Sequence, residues 1–233
     1  VTVNQIWSHL FGRGIVATVN DFGVRGDFPS HPQLLDWLAW EFSRNMSWSR
    51  KKLIKCIVMS ATYRQSSVHR ADVVKIDPTN RWFWRQNRWR VSAEIVRDLH
   101  LAASGLMSKK IGGPSVFPPL PTGVEKLSYA NNFKWKTSPG EDRYRRGMYT
   151  FFKRTSPHPN LVSFDCPDSN TSVLRRETSN TPLQALVTLN NDVYLEASQA
   201  MVKRIYRWNL ASDRDRLKMA MRICLTRQPD NGE

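Results

Sequence analysis

Asn180-Thr181-Pro182-Leu183-Gln184-Ala185-Leu186-Val187-Thr188-Leu189-Asn190-Asn191-Asp192 holds a helix start, a helix body and a helix stop. Thr181 and Gln184 form a capping box: the hydroxyl takes one orphan N–H and the amide reaches back to another. Pro182 falls at the first helical position, where its missing N–H is no loss. Asn190-Asn191-Asp192 then breaks the helix before a second amphipathic run through Val193, Ala197, Met201 and Ile205. The spacing predicts helix, break, helix.

The same pattern recurs on both sides. Downstream, Ser212 caps a last helix expected to turn Leu217, Ala220, Met221 and Cys224 inward, stopped by Pro229. Upstream, Val3, Ile6, Trp7, Leu10 and Phe11 recur at helical spacing until Gly12 and Gly14 end the run. Ser30-His31-Pro32-Gln33 reads as another capping box, opening a helix with face Leu34, Leu35, Leu38 and Phe42 and a left-handed end at Asn45. After Trp48-Ser49 a third helix buries Leu53, Ile54, Ile57, Val58 and Ala61 and turns Arg50, Lys51, Lys52 and Lys55 outward. Val91-Ser92 leads into a fourth, with Ile95, Val96, Leu99, Ala102, Ala103 and Leu106 on one face. Residues 66–80 read as loop. From Gly112 to about Gly140 the glycines and prolines mark a long irregular excursion, and 146–153 reads equally as strand or helix. The expected fold class is therefore mainly α. One helical domain over 1–233 is expected, with a helical half at 1–110, a loop-rich segment at 111–180 and C-terminal helices at 181–228.

A chain of 233 residues needs no disulfide or metal to stabilise its core. Its 35 lysines and arginines against 20 carboxylates give a net charge of +15, which attracts polyanions. No apolar run approaches the roughly 18–20 residues that span a bilayer. Cys56, Cys166 and Cys224 are far apart, with no C-x-x-C or C-x-x-C-H. That excludes a dithiol motif, a paired-cysteine zinc site and covalent c-type haem within these residues. Cys56 and Cys224 are expected to be small buried thiols. The opening at Val1, with an amphipathic helix and no leader, reads as a segment of a longer protein.

The first candidate site is basic. Lys134, Lys136, Arg143, Arg145, Arg146, Lys153, Arg154, Arg175 and Arg176 share 134–176 with Glu141, Asp142, Asp165 and Asp168. Paired arginines grip carboxylate, sulfate or phosphate bidentately. The plainer alternative is that they tie the loops together through Asp165, Asp168 and backbone carbonyls. The second candidate spans 43–71, with Arg44, Arg50, Lys51, Lys52, Lys55, Arg64 and Arg70 and no acid. Beside it Arg81, Arg85, Arg88 and Arg90 interleave with Trp82, Trp84 and Trp89. Such interleaving can stack bases or sugars, or it can be core tryptophan beside a solvated basic face. Glu94 and Asp98 stand one helical turn apart with Arg97, as a carboxylate pair or, more simply, a salt-bridged helix surface. His9, His31, His69, His100 and His158 lie in separate elements without metal-ligand spacing. His31 reads as structural, and His158 stays open to acid–base work. No phosphate loop, nucleophile elbow or dinucleotide fingerprint occurs.

Several blocks resemble a planctomycete-specific domain family of unknown function. They run from Val3-Asn4-Gln5-Ile6-Trp7 and Phe11-Gly12-Arg13-Gly14 through Pro29-Ser30-His31-Pro32-Gln33-Leu34-Leu35-Asp36-Trp37-Leu38 to Ser60-Ala61-Thr62-Tyr63-Arg64-Gln65-Ser66-Ser67. Asp77-Pro78, Asn80-Arg81, Ala93-Glu94-Ile95-Val96-Arg97-Asp98, Tyr144-Arg145-Arg146, Lys153-Arg154-Thr155, Phe164-Asp165, Pro167-Asp168 and Arg175-Arg176 continue the match. Asn180-Thr181-Pro182-Leu183-Gln184-Ala185-Leu186 is the most distinctive block, and Arg227-Gln228-Pro229 with Glu233 resembles the family's end. Asn191 stands where that family often has aspartate, and Thr171 or Ser172 where it often has cysteine, which speaks against a thiol role there. The resemblance implies a place near the carboxyl end of large exported bacterial proteins, in the periplasm or cell envelope. Cytochrome-c-like domains often lie upstream, so any haem belongs to those domains and no cofactor is expected on this chain.

Three functions follow as expectations. The foremost is a non-catalytic accessory domain that binds an anionic polymer, with acidic polysaccharide as the candidate, or upstream domains of its own parent protein. Its binding residues would be Arg145, Arg146, Lys153, Arg154, Asp165, Asp168, Arg175 and Arg176. The second is part of a periplasmic enzyme, polysaccharide-related or haem-linked redox, whose site is shared with the preceding domain, with Asp165 and Asp168 opposite Arg145, Arg146, Arg175 and Arg176. The third is nonspecific nucleic-acid binding, since no motif for sequence-specific recognition is present.

Overall fold

The computed structural model describes residues 1–121, 134–173, 176–230 and 232. Among these the secondary structure is helical, with a single parallel bridge between Val116 and Thr150 and no sheet. The mainly α expectation holds. The stretch at 146–153 resolves as a short 3-10 helix, Gly147–Tyr149, beside that one bridge. Backbone contacts divide the chain into two compact units, Val1–Trp89 and Arg90–Glu233.

The first unit contains α1 (Thr2–Phe11), α2 (Pro32–Arg44), α3 (Arg50–Val58), α4 (Ala61–Arg64) and α5 (Ala71–Val74). Its core joins Val3, Trp7 and Phe11 of α1 to Ile15, Leu38, Phe42, Leu53, Ile57 and Phe83. Trp7 stacks on Phe11 at 4.2 Å and meets Phe83 edge-on at 5.4 Å. Gly12 ends α1 in the left-handed conformation expected of it, at φ 73°. Buried Asn4 then holds the following loop, donating to Val16 O and accepting from Val16 N. Residues 77–87 close around two buried side chains. The Asp77 carboxylate accepts from Arg81 N and Trp82 N at 2.9 Å each, and Asn80 exchanges hydrogen bonds with the backbone of Arg85.

Two helix boundaries in this unit differ from expectation. The N-cap of α2 is His31, without a side-chain bond; Ser30 stands one residue before the cap and donates its Oγ–H to Ile15 O. Asn45 is right-handed; the turn after α2 takes its positive φ at Ser47 and Trp48. Of the expected inner face of α3, Leu53 and Ile57 are buried, while Ile54 and Ala61 are exposed.

The second unit contains α6 (Ala93–Ser104), α7 (Pro159–Ser163), α8 (Pro182–Asn190), α9 (Asp192–Tyr206) and α10 (Asp213–Leu225), with 3-10 helices at Gly140–Tyr144 and Gly147–Tyr149. α6 packs along α9. The core gathers Ala93, Val96, Leu161, Phe164 and Tyr194. Both halves of the Thr181–Gln184 capping box form, and Asn191 and Ser212 cap α9 and α10 through their side chains. Gly147 sits where an added Cβ would lie 2.4 Å from Glu94 O, so only glycine allows that approach to α6.

The faces of α6 and α10 are corrected by the structure. α6 turns Ala93, Val96, Arg97, Leu101 and Ser104 inward, leaving Ile95 and Leu99 exposed. α10 exposes Leu217 and Cys224, and Cys56 is half-buried, so neither thiol is a fully buried core atom.

Candidate functional site

The basic segment of the second unit is largely consumed by its own fold. Arg145 is 1% exposed. It donates to Pro114 O at 3.0 Å and to Gly112 O, with its guanidinium 3.8 Å over the Tyr149 ring. Arg143 donates bidentately to Glu196 of α9, and the Tyr144 hydroxyl donates to the same carboxylate at 2.7 Å. Arg146 is half-exposed and 3.5 Å from Asp98, whose other oxygen accepts from Gly147 N. Arg176 donates to both oxygens of Glu94 at 2.9 and 2.7 Å. Lys153 is half-buried and Arg154 exposed. Arg175 lies outside the described residues.

The carboxylates are occupied in the same way. Asp165 accepts from Arg90 and from Ser179, through both its N–H and its hydroxyl. The Ser179 N–H is the main reason its carboxyl is held below the usual range. Asp168 accepts from Asn170 N at 3.0 Å and from its side-chain amide, an Asx-type turn. Asp165 and Asp168 therefore each have partners of their own. They do not converge on Arg145, Arg146 or Arg176.

Glu94 and Asp98 also diverge, one to Arg176 and the other to Arg146, so the salt-bridged surface is the correct reading of that pair. Burial, the largest single influence, works to raise the Glu94 carboxyl, but the Arg176 hydrogen bonds and charge, its own backbone N–H and the Ser92 side chain together outweigh it and leave the group below its ordinary range. Between them, Arg97 is buried and donates to the carbonyls of Arg143 and Arg145, with burial pulling its guanidinium down to about 10. A cleft of about 330 Å³ adjoins Glu94 and Arg176 and is lined also by Thr150, Phe152, Leu161 and Cys166. Burial and the nearby Glu94 charge push the Cys166 thiol upward, which keeps it protonated and a weak nucleophile.

His158 is the N-cap of α7. Its Nδ1 accepts from Asn160 N, which places the proton on Nε2 for donation to Pro119 O at 3.0 Å. Burial drives its pKa down to about 4. A neutral imidazole with both nitrogens engaged is a strut, so His158 has no free nitrogen for acid–base work. Among the described residues no cluster of three His, Cys, Asp or Glu could hold a metal ion.

The first unit is the reverse case. It carries thirteen lysines and arginines against six carboxylates, yet every ion pair among the described residues lies in the second unit. Arg44, Arg50, Lys51, Lys52 and Lys55 are all exposed. Three of them fill the first turn of α3, which has no acid there. Cations at that end oppose the helix dipole, so the placement costs stability and is relieved by an anion. The tryptophans are not core either, Trp7 apart. Trp82 is 56% and Trp89 46% exposed, while Trp84 lies between Arg70 and Arg85 at 5.5 and 5.1 Å. On α2, Trp37 and Trp40 are half-exposed. The sequence reading passed over those two. Their signal was present: they stand three residues apart, opposite the Leu34, Leu38 and Phe42 face.

A family model described as PSD1, protein of unknown function (DUF1553), matches residues 1–233. No curated protein and no solved structure matches the chain.

Proposed function

We propose, from the premise that this chain belongs to the PSD1 family of proteins of unknown function (DUF1553) over its whole length, that it is an accessory, non-catalytic module that binds an anionic polymer. The observation that carries this reading is the set of exposed cations on α2 and α3 with no ion pair among the described residues. Charges tied up in ion pairs cannot attract a ligand; Arg44, Arg50, Lys51, Lys52 and Lys55 can. This reading takes α2 and α3 of the first unit as the binding surface, where five such cations lie on two helices; Lys203, Arg207, Lys218 and Arg222 of the second unit are exposed without an ion pair as well. The Arg145, Arg146 and Arg176 group supports the loops of the second. In the same proposal the module belongs to a large exported bacterial protein, with cytochrome-c-like domains upstream, working in the periplasm or cell envelope. The resemblance of its motif blocks supports that setting, and recovery of the parent protein from the cytosol would remove it.

The test is a salt titration of binding to an acidic polysaccharide, with wild type beside an Arg50→Gln/Lys51→Gln/Lys52→Gln/Lys55→Gln variant. Screening and counterion release weaken such binding as salt is added, and each lost contact makes the slope of log affinity against log salt shallower. A shallower slope and weaker binding in a folded variant are expected. Binding that ignores salt, or a variant that binds like wild type, overturns the proposal.

A further inference from the structure

The outer face of α2 carries a stripe that charge alone does not explain. Trp37 is 50% and Trp40 55% exposed, and Gln33 and Arg44 continue the same line at helical spacing, opposite buried Leu38 and Phe42. Residues three apart on a helix stand about 5–6 Å apart at Cβ, so the two indoles form neighbouring flat surfaces on a convex face. Exposed paired tryptophans are costly to hydrate and are typical anchors of binding surfaces. The stripe is flanked by carboxylates, Asp36 on one side and Glu41 on the other.

We infer that the polymer is a polysaccharide and that this stripe is its sugar-stacking subsite, an inference that rests on the anion-binding reading above. Pyranose rings present apolar C–H faces that lie against indole, and their hydroxyls donate to carboxylate and amide acceptors such as Asp36 and Gln33. A nucleic acid fits worse. It brings a phosphate with every nucleotide and would set that charge beside Asp36 and Glu41. A polysaccharide with spaced acid groups places hydroxyls along α2 and its charges on Arg44 and the α3 cations.

The experiment uses the full chain, with carboxymethyl cellulose, cellohexaose and single-stranded oligo(dT) as probes at matched salt. Trp37→Ala/Trp40→Ala is compared with Trp82→Ala, an exposed indole that belongs to the loop at 77–87 and not to α2. The double variant is expected to bind carboxymethyl cellulose about tenfold or more weakly, with an unchanged salt slope and an unchanged melting midpoint. Trp82→Ala and oligo(dT) binding should not change, and cellohexaose should compete measurably with the polymer. If the double variant binds like wild type while the α3 cation variant has lost binding, the stacking subsite falls and the anion-binding reading stands. An equal loss on oligo(dT) overturns the polysaccharide class. If wild type binds none of the polymers, the underlying reading falls with the inference.

Discussion

The two units carry similar excesses of positive charge and spend them differently. In the second unit the arginines of 143–146 and Arg176 are construction material: Arg145 holds two carbonyls, Arg143 ties a 3-10 helix to α9, and Arg176 and Arg146 tie loops to α6, while Lys203, Arg207, Lys218 and Arg222 stay exposed. In the first, cations sit at helix surfaces and at the unfavourable end of α3 without acidic partners among the described residues. Net charge therefore does not locate a binding surface; the partners of each charge do. A guanidinium buried against carbonyls and an aromatic ring, as Arg145 is, lies out of a ligand's reach, whereas an exposed one beside other cations gains by meeting an anion.

Removing a strut arginine of the second unit and removing an α3 cation of the first should thus have opposite consequences. The largest effect is expected for Arg145→Met. It leaves the Gly112 and Pro114 carbonyls without their donor and removes the cation from Tyr149. Two buried acceptors at about 1–3 kcal/mol each suggest a loss of roughly 3 kcal/mol, read as a lower urea midpoint. A folded variant of wild-type stability would place Arg145 among the free cations and dissolve the contrast.

Nearly as large is the effect expected of acid on His158. Its pKa falls from 6.5 unfolded to about 4 folded, so the unfolded chain takes up the proton first. The stability it contributes is complete above pH 6.5 and is lost as pH falls through about 4. That span corresponds to about 3 kcal/mol. His158→Asn keeps a capping acceptor for α7 and should flatten the decline in urea midpoint between pH 6.5 and 4. An unaltered decline would mean that other groups govern it.

How much of this was legible in the sequence depends on how local each cause is. The Thr181–Gln184 box, the Ser212 cap and the Gly12 stop are settled within four residues of chain, and all formed. Ser30 misled because the helix starts one residue later, at a His31 cap, and the serine is held instead by Ile15 O, fifteen residues earlier. The buried face of α6 misled more deeply. Periodicity places Ile95 and Leu99 inside, but Arg97 goes inside because carbonyls 46 and 48 residues away solvate it. The basic segment 134–176 was visible as a cluster. Its partners Glu94, Asp98 and Glu196 lie outside it, so its structural role was not visible.

A smaller effect is expected at the half-exposed pair of Glu94 and Arg176. Glu94→Gln should cost about 1 kcal/mol or less, since exposed pairs are screened by water and salt. Because the folded Glu94 carboxyl lies below its ordinary pKa, its contribution is present above the unfolded value and lost as pH falls through the folded one. The variant should therefore lose less stability than wild type on acidification below about pH 5. An acid profile identical to wild type would count against the pair.

The smallest effect on stability sharpens the comparison most, because its sign is reversed. Arg50→Gln/Lys51→Gln/Lys52→Gln removes three positive charges from the first turn of α3 while keeping long polar side chains there. The cap survives, since Ser49 Oγ accepts from the backbone N–H of residue 52 and not from a side chain. Removing cations from the positive end of a helix relieves repulsion, so the melting midpoint should stay level or rise slightly at low salt. The rise should shrink as salt is added, following the Debye length. A clear fall in the midpoint would show that these cations also support the fold. The first unit would then differ from the second in degree and no longer in kind.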